Sequence, residues 1–248
     1  SLIWHGYLYS GGEFIILDVP PDIAGSAVTV TNPASINSGG DIVGYYRRTG
    51  ELSPAAWHGF LRTRQGEWSK IDAPEHLYTM PNSILADGTI LGCVHEAGGA
   101  MMQGVTLKDG VWSEYPTAAT DMTMHNGATP DGNMIVGQYR TSSMAAGTYR
   151  GYLLDDSIFI LFGVPNSTNT VPYGINPAGV IVGYYNDDTA AKLPHGFMVQ
   201  PQGLPVEDWQ FTTIDVPGAG RTILRSINAG GDLVGTYSTD PNAKPTDI

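Results

Sequence analysis

The sequence predicts an all-β fold: a five-bladed β-propeller of four-stranded antiparallel blades, built by the 248 residues as a single domain. Three observations carry this reading. Four short motifs recur five times in one order, at a period of about 45–50 residues, which is the rhythm of propeller blades. Each copy has room for four short strands separated by Gly-rich turns. The chain begins and ends part-way through a copy, so its two ends complement each other.

The first motif is the run around Gly44, Asp41-Ile42-Val43-Gly44-Tyr45-Tyr46, which returns around Gly92, Gly137, Gly183 and Gly235, at spacings of 48, 45, 46 and 52 residues. The second is His5-Gly6-Tyr7-Leu8, His58-Gly59-Phe60-Leu61, Gln103-Gly104-Val105, Arg150-Gly151-Tyr152-Leu153 and His195-Gly196-Phe197-Met198. The third is Leu17-Asp18-Val19-Pro20, Ile71-Asp72-Ala73-Pro74, Tyr115-Pro116, Gly163-Val164-Pro165 and Ile214-Asp215-Val216-Pro217. The fourth sets a threonine four residues before a small residue: Thr31/Ser35, Thr79/Ser83, Thr123/Gly127, Thr170/Gly174 and Thr222/Ser226.

In the first complete copy these motifs place strands over 31–37, 41–47, 57–63 and 67–72. Gly-Gly, Asp-Gly and Ala-Gly pairs supply the positive φ that hairpin turns need. Each Asp before Val-Pro or Ala-Pro suits a turn cap, because its short carboxylate accepts from nearby backbone. The blades then span 31–74, 79–116, 123–165, 170–217, and 222–248 combined with 1–20. In that last blade 222–237 supplies the first two strands and 4–19 the last two, which closes the ring and removes open sheet edges.

The repeated pattern HGF-L, IDVPGA, T, GIN-GDIVGYY, clearest in 170–237, resembles the bacterial extracellular HAF-type repeat. The resemblance covers nearly the whole chain. It implies a β-propeller-like repeat protein, usually exported, and implies no catalytic residue set. Several positions depart from it. Gln103 and Arg150 replace the histidine, Tyr115-Pro116 lacks the aspartate, and Leu85 and Thr129 replace the asparagine seen at 37, 176 and 228.

Composition narrows function. The chain holds 32 glycines and 17 prolines with only 15% charged residues, which excludes a helical bundle, and 42% hydrophobic residues exclude disorder. A net charge of −12 argues against nucleic acid, whose affinity rests on Lys and Arg at phosphates. No apolar run reaches the ~18–20 residues of a membrane span. The acidic balance, four lysines and an opening at Ser1 with no signal peptide point to an extracellular or periplasmic protein whose leader has been removed. The single cysteine, Cys93, allows no intrachain disulfide and reads as a buried hydrophobe.

No nucleophile elbow, zinc-protease helix or phosphate loop occurs, and the six histidines are 18 to 70 residues apart. The repeated histidines His5, His58 and His195 and the repeated tyrosines Tyr46, Tyr139, Tyr185 and Tyr237 read as blade architecture. Function belongs where the copies disagree, because a ligand on the pseudo-symmetry axis meets five non-equivalent side chains. Between the threonine and the small residue the copies read Ala34, Asn82, Asn126, Tyr173 and Arg225, preceded by Pro33, Pro81, His125, Pro172 and Leu224. After the repeated glycine come Tyr45, Cys93, Gln138, Tyr184 and Thr236, and two places later Arg47, His95, Arg140, Asn186 and Ser238.

This pool yields one asymmetric axial site. His125 and Tyr173 are the acid–base candidates, and Arg225 is the anchor for a carboxylate. Asn82, Asn126, Arg140 and Tyr45 are the further substrate-binding candidates. The chemistry that fits is metal-independent lyase, isomerase or hydrolase action on a small polar or acidic molecule at the channel mouth. No cofactor is implied, and an axial divalent metal stays open. The alternative is a non-catalytic extracellular module that binds a glycan or a surface. Either reading expects a monomer.

Overall fold

The computed structural model describes residues 4–50, 56–96, 102–115, 121–189 and 191–240. The outermost residues of the expected domain, 1–3 and 241–248, and Pro116 of the third copy lie outside them. The strands in chain order are β1 (Gly6–Ser10), β2 (Glu13–Leu17), β3 (Val28–Ile36), β4 (Ile42–Arg48), β5 (His58–Arg62) and β6 (Trp68–Lys70). Next come β7 (Tyr78–Ile84), β8 (Ile90–His95), β9 (Gln103–Lys108), β10 (Val111–Glu114), β11 (Met122–Ala128), β12 (Met134–Arg140), β13 (Arg150–Asp155) and β14 (Ile158–Phe162). The last six are β15 (Ser167–Ile175), β16 (Ile181–Asp187), β17 (Pro194–Val199), β18 (Phe211–Ile214), β19 (Arg221–Ile227) and β20 (Leu233–Ser238). One helical turn, α1 (Pro21–Ala24), follows β2, with proline in its first turn and Gly25 closing it at φ 79°.

Among the described residues these strands form four sheets of four, β3-β4-β5-β6, β7-β8-β9-β10, β11-β12-β13-β14 and β15-β16-β17-β18. Two further sheets have two strands each, β1-β2 and β19-β20. The expected order within a copy is therefore observed, each strand pairing antiparallel with the next in sequence. Of the expected terminal blade, β1 pairs with β2 and β19 with β20, and no ladder among the described residues joins the two ribbons.

The repeated glycine of the second strand has a steric origin. The register slips at one residue of the first strand in each of four copies, between Pro33 and Ser35, Pro81 and Ser83, Pro172 and Gly174, and Leu224 and Ser226. This bulge drives a carbonyl toward the facing strand. A Cβ on Gly44 would collide with the Asn32 carbonyl, and one on Gly183 with that of Val171.

By contacts the chain divides into two compact units, Ser1–Ala118 with Met122–His125, and Ala119–Asp121 with Asn126–Ile248. The first unit has Leu17, Val19, Ala24, Ile42, Tyr46 and Phe60 in one core cluster and Val43, Ile84 and Ile90 in another. The second is centred on Val136, Leu153, Phe162, Ile175, Ile181, Phe197, Val199 and Trp209. Within each unit the motif residues tie successive sheets together. The Thr31 hydroxyl accepts from the Val19 N–H, Thr79 from Ala73, Thr170 from Val164 and Thr222 from Val216, at 2.9–3.3 Å. The asparagines do a second job. Asn37 Oδ1 accepts from the Asp41 N–H inside its own turn, and Nδ2 donates to the Leu85 carbonyl of the next sheet at 3.1 Å. Asn176 repeats both bonds, with the Val180 N–H and the Asn228 carbonyl.

Candidate functional site

The repeated His and Asp prove to be one device. His5, His58 and His195 each donate from Nδ1 to the carboxylate of Asp18, Asp72 and Asp215, at 2.8, 2.6 and 2.7 Å. The other carboxylate oxygen of Asp72 and of Asp215 accepts from the backbone N–H of Gly59 and Gly196. Burial acts to raise the Asp72 carboxyl, but the hydrogen bonds and charges of His58 and Lys70 outweigh it and hold the group below its ordinary value. A tyrosine covers the imidazole in two of these copies, Tyr46 over His58 and Tyr185 over His195, with centroids 5.3 Å apart in both.

His125 does not face a ligand space. Its position in the repeat is the residue that caps the glycine of the preceding sheet's third strand. A Cβ on Gly59 would sit 3.0 Å from Pro81 Cγ, one on Gly196 3.0 Å from Leu224 Cγ, and one on Gly104 2.8 Å from His125 Cε1. The imidazole is thus packed as a proline or leucine is elsewhere, 0% exposed and edge-on to Tyr115 at 5.0 Å. Burial pushes its pKa down to about 3. The expectation that His125 transfers protons near neutrality therefore meets a neutral ring enclosed in the first unit, because position 125 points at Gly104.

Asn82 occupies the bulge position of its strand and Asn126 the equivalent place in the repeat, and their amides are spent on structure. Asn82 Nδ2 donates to the His125 carbonyl at 2.9 Å, in the first unit, and Asn126 Nδ2 to the Pro172 carbonyl at 2.7 Å, in the second. Tyr45, in the first unit, lies edge-on to Trp57 at 5.0 Å, and the Arg47 guanidinium covers the same indole at 3.8 Å. Arg140, the counterpart of Arg47 in the second unit, is half-buried, and its Nε has no hydrogen-bond partner among the described residues.

Tyr173 and Arg225, which are bulge residues of neighbouring sheets in the second unit, are brought together. The guanidinium of the exposed Arg225 stands 4.6 Å from the Tyr173 ring centroid. Tyr173 stacks on Tyr184 at 5.9 Å and 26°. Tyr184 is anchored in turn: its hydroxyl accepts from Asn169 Nδ2 at 3.4 Å, and that amide also donates to Asn186 Oδ1 at 3.1 Å. Asn169 Oδ1 accepts from the Tyr149 N–H at 2.7 Å. Burial, reinforced by Tyr173, pushes the Tyr184 phenol up to about 12, so it stays neutral. Among the described residues no carboxylate lies within ion-pair distance of Arg225.

Sequence reasoning passed over Arg150, Lys192 and Tyr139, which border a cleft of about 540 Å³ in the second unit. The signal was present, since Arg150 and Gly163 stand where the repeat elsewhere has its His and Asp. Among the described residues no three His, Cys, Asp or Glu side chains are grouped to hold a metal. Cys93 is fully buried and its thiol pushed up to about 12 by burial, which fits its reading as a core residue. No helix of the described residues is long and apolar enough to cross a membrane.

Comparison with known proteins supports the architecture. No family model matches the chain, and no curated protein does. Among solved structures it is similar to the crystal structure of TolB from Acinetobacter baumannii, at 15% identity and a TM-score of 0.52. The match takes in 77% of this chain and 43% of that one, so the chain spans less than half the length of that structure. That structure is a β-propeller, and at this identity the likeness shows the fold alone: the chain has an all-β fold of the β-propeller class.

Proposed function

We propose that this protein is a five-bladed β-propeller that binds a small acidic molecule without transforming it. One observation carries the binding reading: the Arg225 guanidinium stands over the Tyr173 ring and, among the described residues, has no carboxylate within ion-pair distance. A guanidinium stacked in this way leaves its in-plane N–H fork directed outward, the geometry that takes a carboxylate through two parallel hydrogen bonds. The Tyr173–Tyr184–Asn169 chain behind it supports preorganisation, which lowers the entropy lost on binding. In a chain of net charge −12 such a cation is a local exception, and it suits selection of one anion at one place.

The acid–base reading depended on His125. With that ring enclosed and neutral, His125 cannot serve Tyr173 as a base, so binding is the better account of these residues. The HAF-type resemblance and the four lysines support an exported, monomeric protein. Five blades follow if β19–β20 and β1–β2 form one sheet, with β20 beside β1 in the register of the complete copies. Tyr237 would then face His5 as Tyr46 faces His58 and Tyr185 faces His195.

Thermal unfolding in millimolar malate, tartrate and citrate tests the binding. Stabilisation is expected for the natural protein, lost in Arg225→Gln and reduced in Tyr173→Leu. A natural protein that none of the three stabilises, or an Arg225→Gln variant stabilised equally, overturns the reading.

A further inference from the structure

In the complete copies the residue two places after the repeated glycine of the second strand faces the histidine position of the third. These pairs include Tyr46 with His58, Tyr139 with Arg150 and Tyr185 with His195. Where that residue is histidine, the repeat's aspartate accepts a hydrogen bond from its Nδ1. Two copies change both halves: one has Gln103 and no aspartate before Tyr115-Pro116, and the other places Arg150 at the histidine position and Gly163 at the aspartate position. A fixed cation has thus replaced a titratable one, and its carboxylate has been removed. Glycine is also the residue the larger side chain requires, because a Cβ on Gly163 would sit 2.9 Å from Arg150 Cδ and 3.2 Å from Nε.

The guanidinium is left half-satisfied. Nη2 donates to the Ser167 carbonyl at 2.9 Å, while Nη1 is buried and has no hydrogen-bond partner among the described residues. Among the described residues no carboxylate lies within ion-pair distance of Arg150 or of Lys192. Leaving a buried charged donor unpaired is costly, which points to a partner outside the chain. Both cations line the cleft of about 540 Å³, together with Tyr139, Thr148 and Thr168. Arg150 and Tyr139 also border a second hollow of about 340 Å³, where Glu207 is the acidic residue on the wall. Burial raises the Tyr139 phenol despite the Arg150 charge, so its O–H remains a donor.

The hydroxyls say more about the ligand. Thr148 Oγ1 already donates to the Ala145 carbonyl at 2.6 Å, and Thr168 Oγ1 to the Asp187 carbonyl at 3.1 Å. With their protons committed, both oxygens offer lone pairs to the cleft. Such oxygens suit hydroxyl donors rather than a bare anion. A cleft of this volume lies in the range of small-molecule sites.

We infer that this cleft is a second binding site, separate from Arg225, for a polyhydroxylated small molecule bearing one oxyanion, with the anion on Arg150 and Lys192 and hydroxyls donating to Thr148 and Thr168. A sugar acid and a sugar phosphate both carry this chemistry. Isothermal titration with glucuronate, glucose 6-phosphate and glucose distinguishes them. The natural protein is expected to bind at least one of the two anions about tenfold or more tightly than glucose, and the preferred anion identifies carboxylate or phosphate as the group selected. The double variant Arg150→His with Gly163→Asp restores the pair of the other copies. It is expected to keep its melting temperature and lose the anion by about tenfold or more. The exposed Lys192→Gln variant, which does not disturb packing, is expected to weaken the anion severalfold. No binding of either anion at about 20 mM, glucose bound as well as the anions, or affinity unchanged in Lys192→Gln or in a folded double variant overturns the proposal.

Discussion

Buried imidazoles shape the acid sensitivity of this fold, His125 foremost, with His95 also pushed down by burial. His125 occupies a position that holds proline in three other copies and leucine in the fifth, and in the folded chain its pKa falls to about 3. An unfolded histidine titrates near 6.5, so between about pH 6.5 and 3 the unfolded chain takes up a proton that the native ring refuses. Stability therefore drops as pH falls through that window. Asp72, whose carboxyl is held low, adds a separate loss only once pH falls below about 4. His125→Leu, the residue at 224, is expected to flatten the first part of the profile and recover on the order of 2–4 kcal/mol near pH 4. Urea unfolding at a series of pH values reads this directly; a profile parallel to that of the natural protein would contradict the burial argument. The repeated threonines are the opposite case. Their hydroxyls are buried but fully employed, and their contribution does not titrate.

At the scale of the strand pair, the bulge and the glycine facing it form one unit. The bulge turns residues 82, 173 and 225 out of the ladder, which lets Asn82 reach the next strand's carbonyl and lets Tyr173 meet Arg225. The facing glycine accepts the carbonyl that the bulge pushes inward. Gly183→Ala would place a methyl group against the Val171 carbonyl and 2.7 Å from Pro172 Cα, both backbone atoms that cannot swing aside. A loss of about 3 kcal/mol or more is expected, at or above the usual cost of overpacking. Because Tyr184 is the next residue, the same variant should also disturb the Tyr173–Tyr184 stack. Equilibrium unfolding that differs from the natural protein by less than about 1 kcal/mol would show that the strands can separate at the bulge.

For the whole molecule, the question is how a repeat that starts and stops mid-copy ends its sheets. β1–β2 and β19–β20 carry much of the exposed apolar surface, including Tyr7, Tyr9, Phe14, Ile16, Val234 and Tyr237. Two-stranded ribbons with bare edges are unstable partners for water and good templates for other strands. The register of the complete copies, in which Val43 faces Leu61, places Val234 opposite Leu8 in a closed ring. Leu8→Cys with Val234→Cys is then expected to oxidise to an intramolecular disulfide in a monomer and to raise the melting temperature. Exclusive formation of disulfide-linked dimers would assign the two ribbons to different molecules and reject closure within one chain.

Much of this was legible from the chain alone. The motif order produced the four strands of each copy, and the joint loss of histidine at 150 and aspartate at 163 was visible in the alignment of copies. Period-2 patterning and glycine punctuation act locally, so a sequence carries them openly. The site was less legible, because its residues are defined by neighbours in other sheets. Pleat alternation gives two faces to every strand, and only packing revealed that position 125 points at Gly104 and that the amides of Asn82 and Asn126 serve backbone carbonyls. The sequence by itself determined the repeat, its strands and the residues in which the copies differ. The tertiary structure alone decided which of those differences are buried as packing and which, like Arg225 and Arg150, leave a cation with no carboxylate in reach among the described residues, since burial and pairing depend on contacts between residues far apart in the chain.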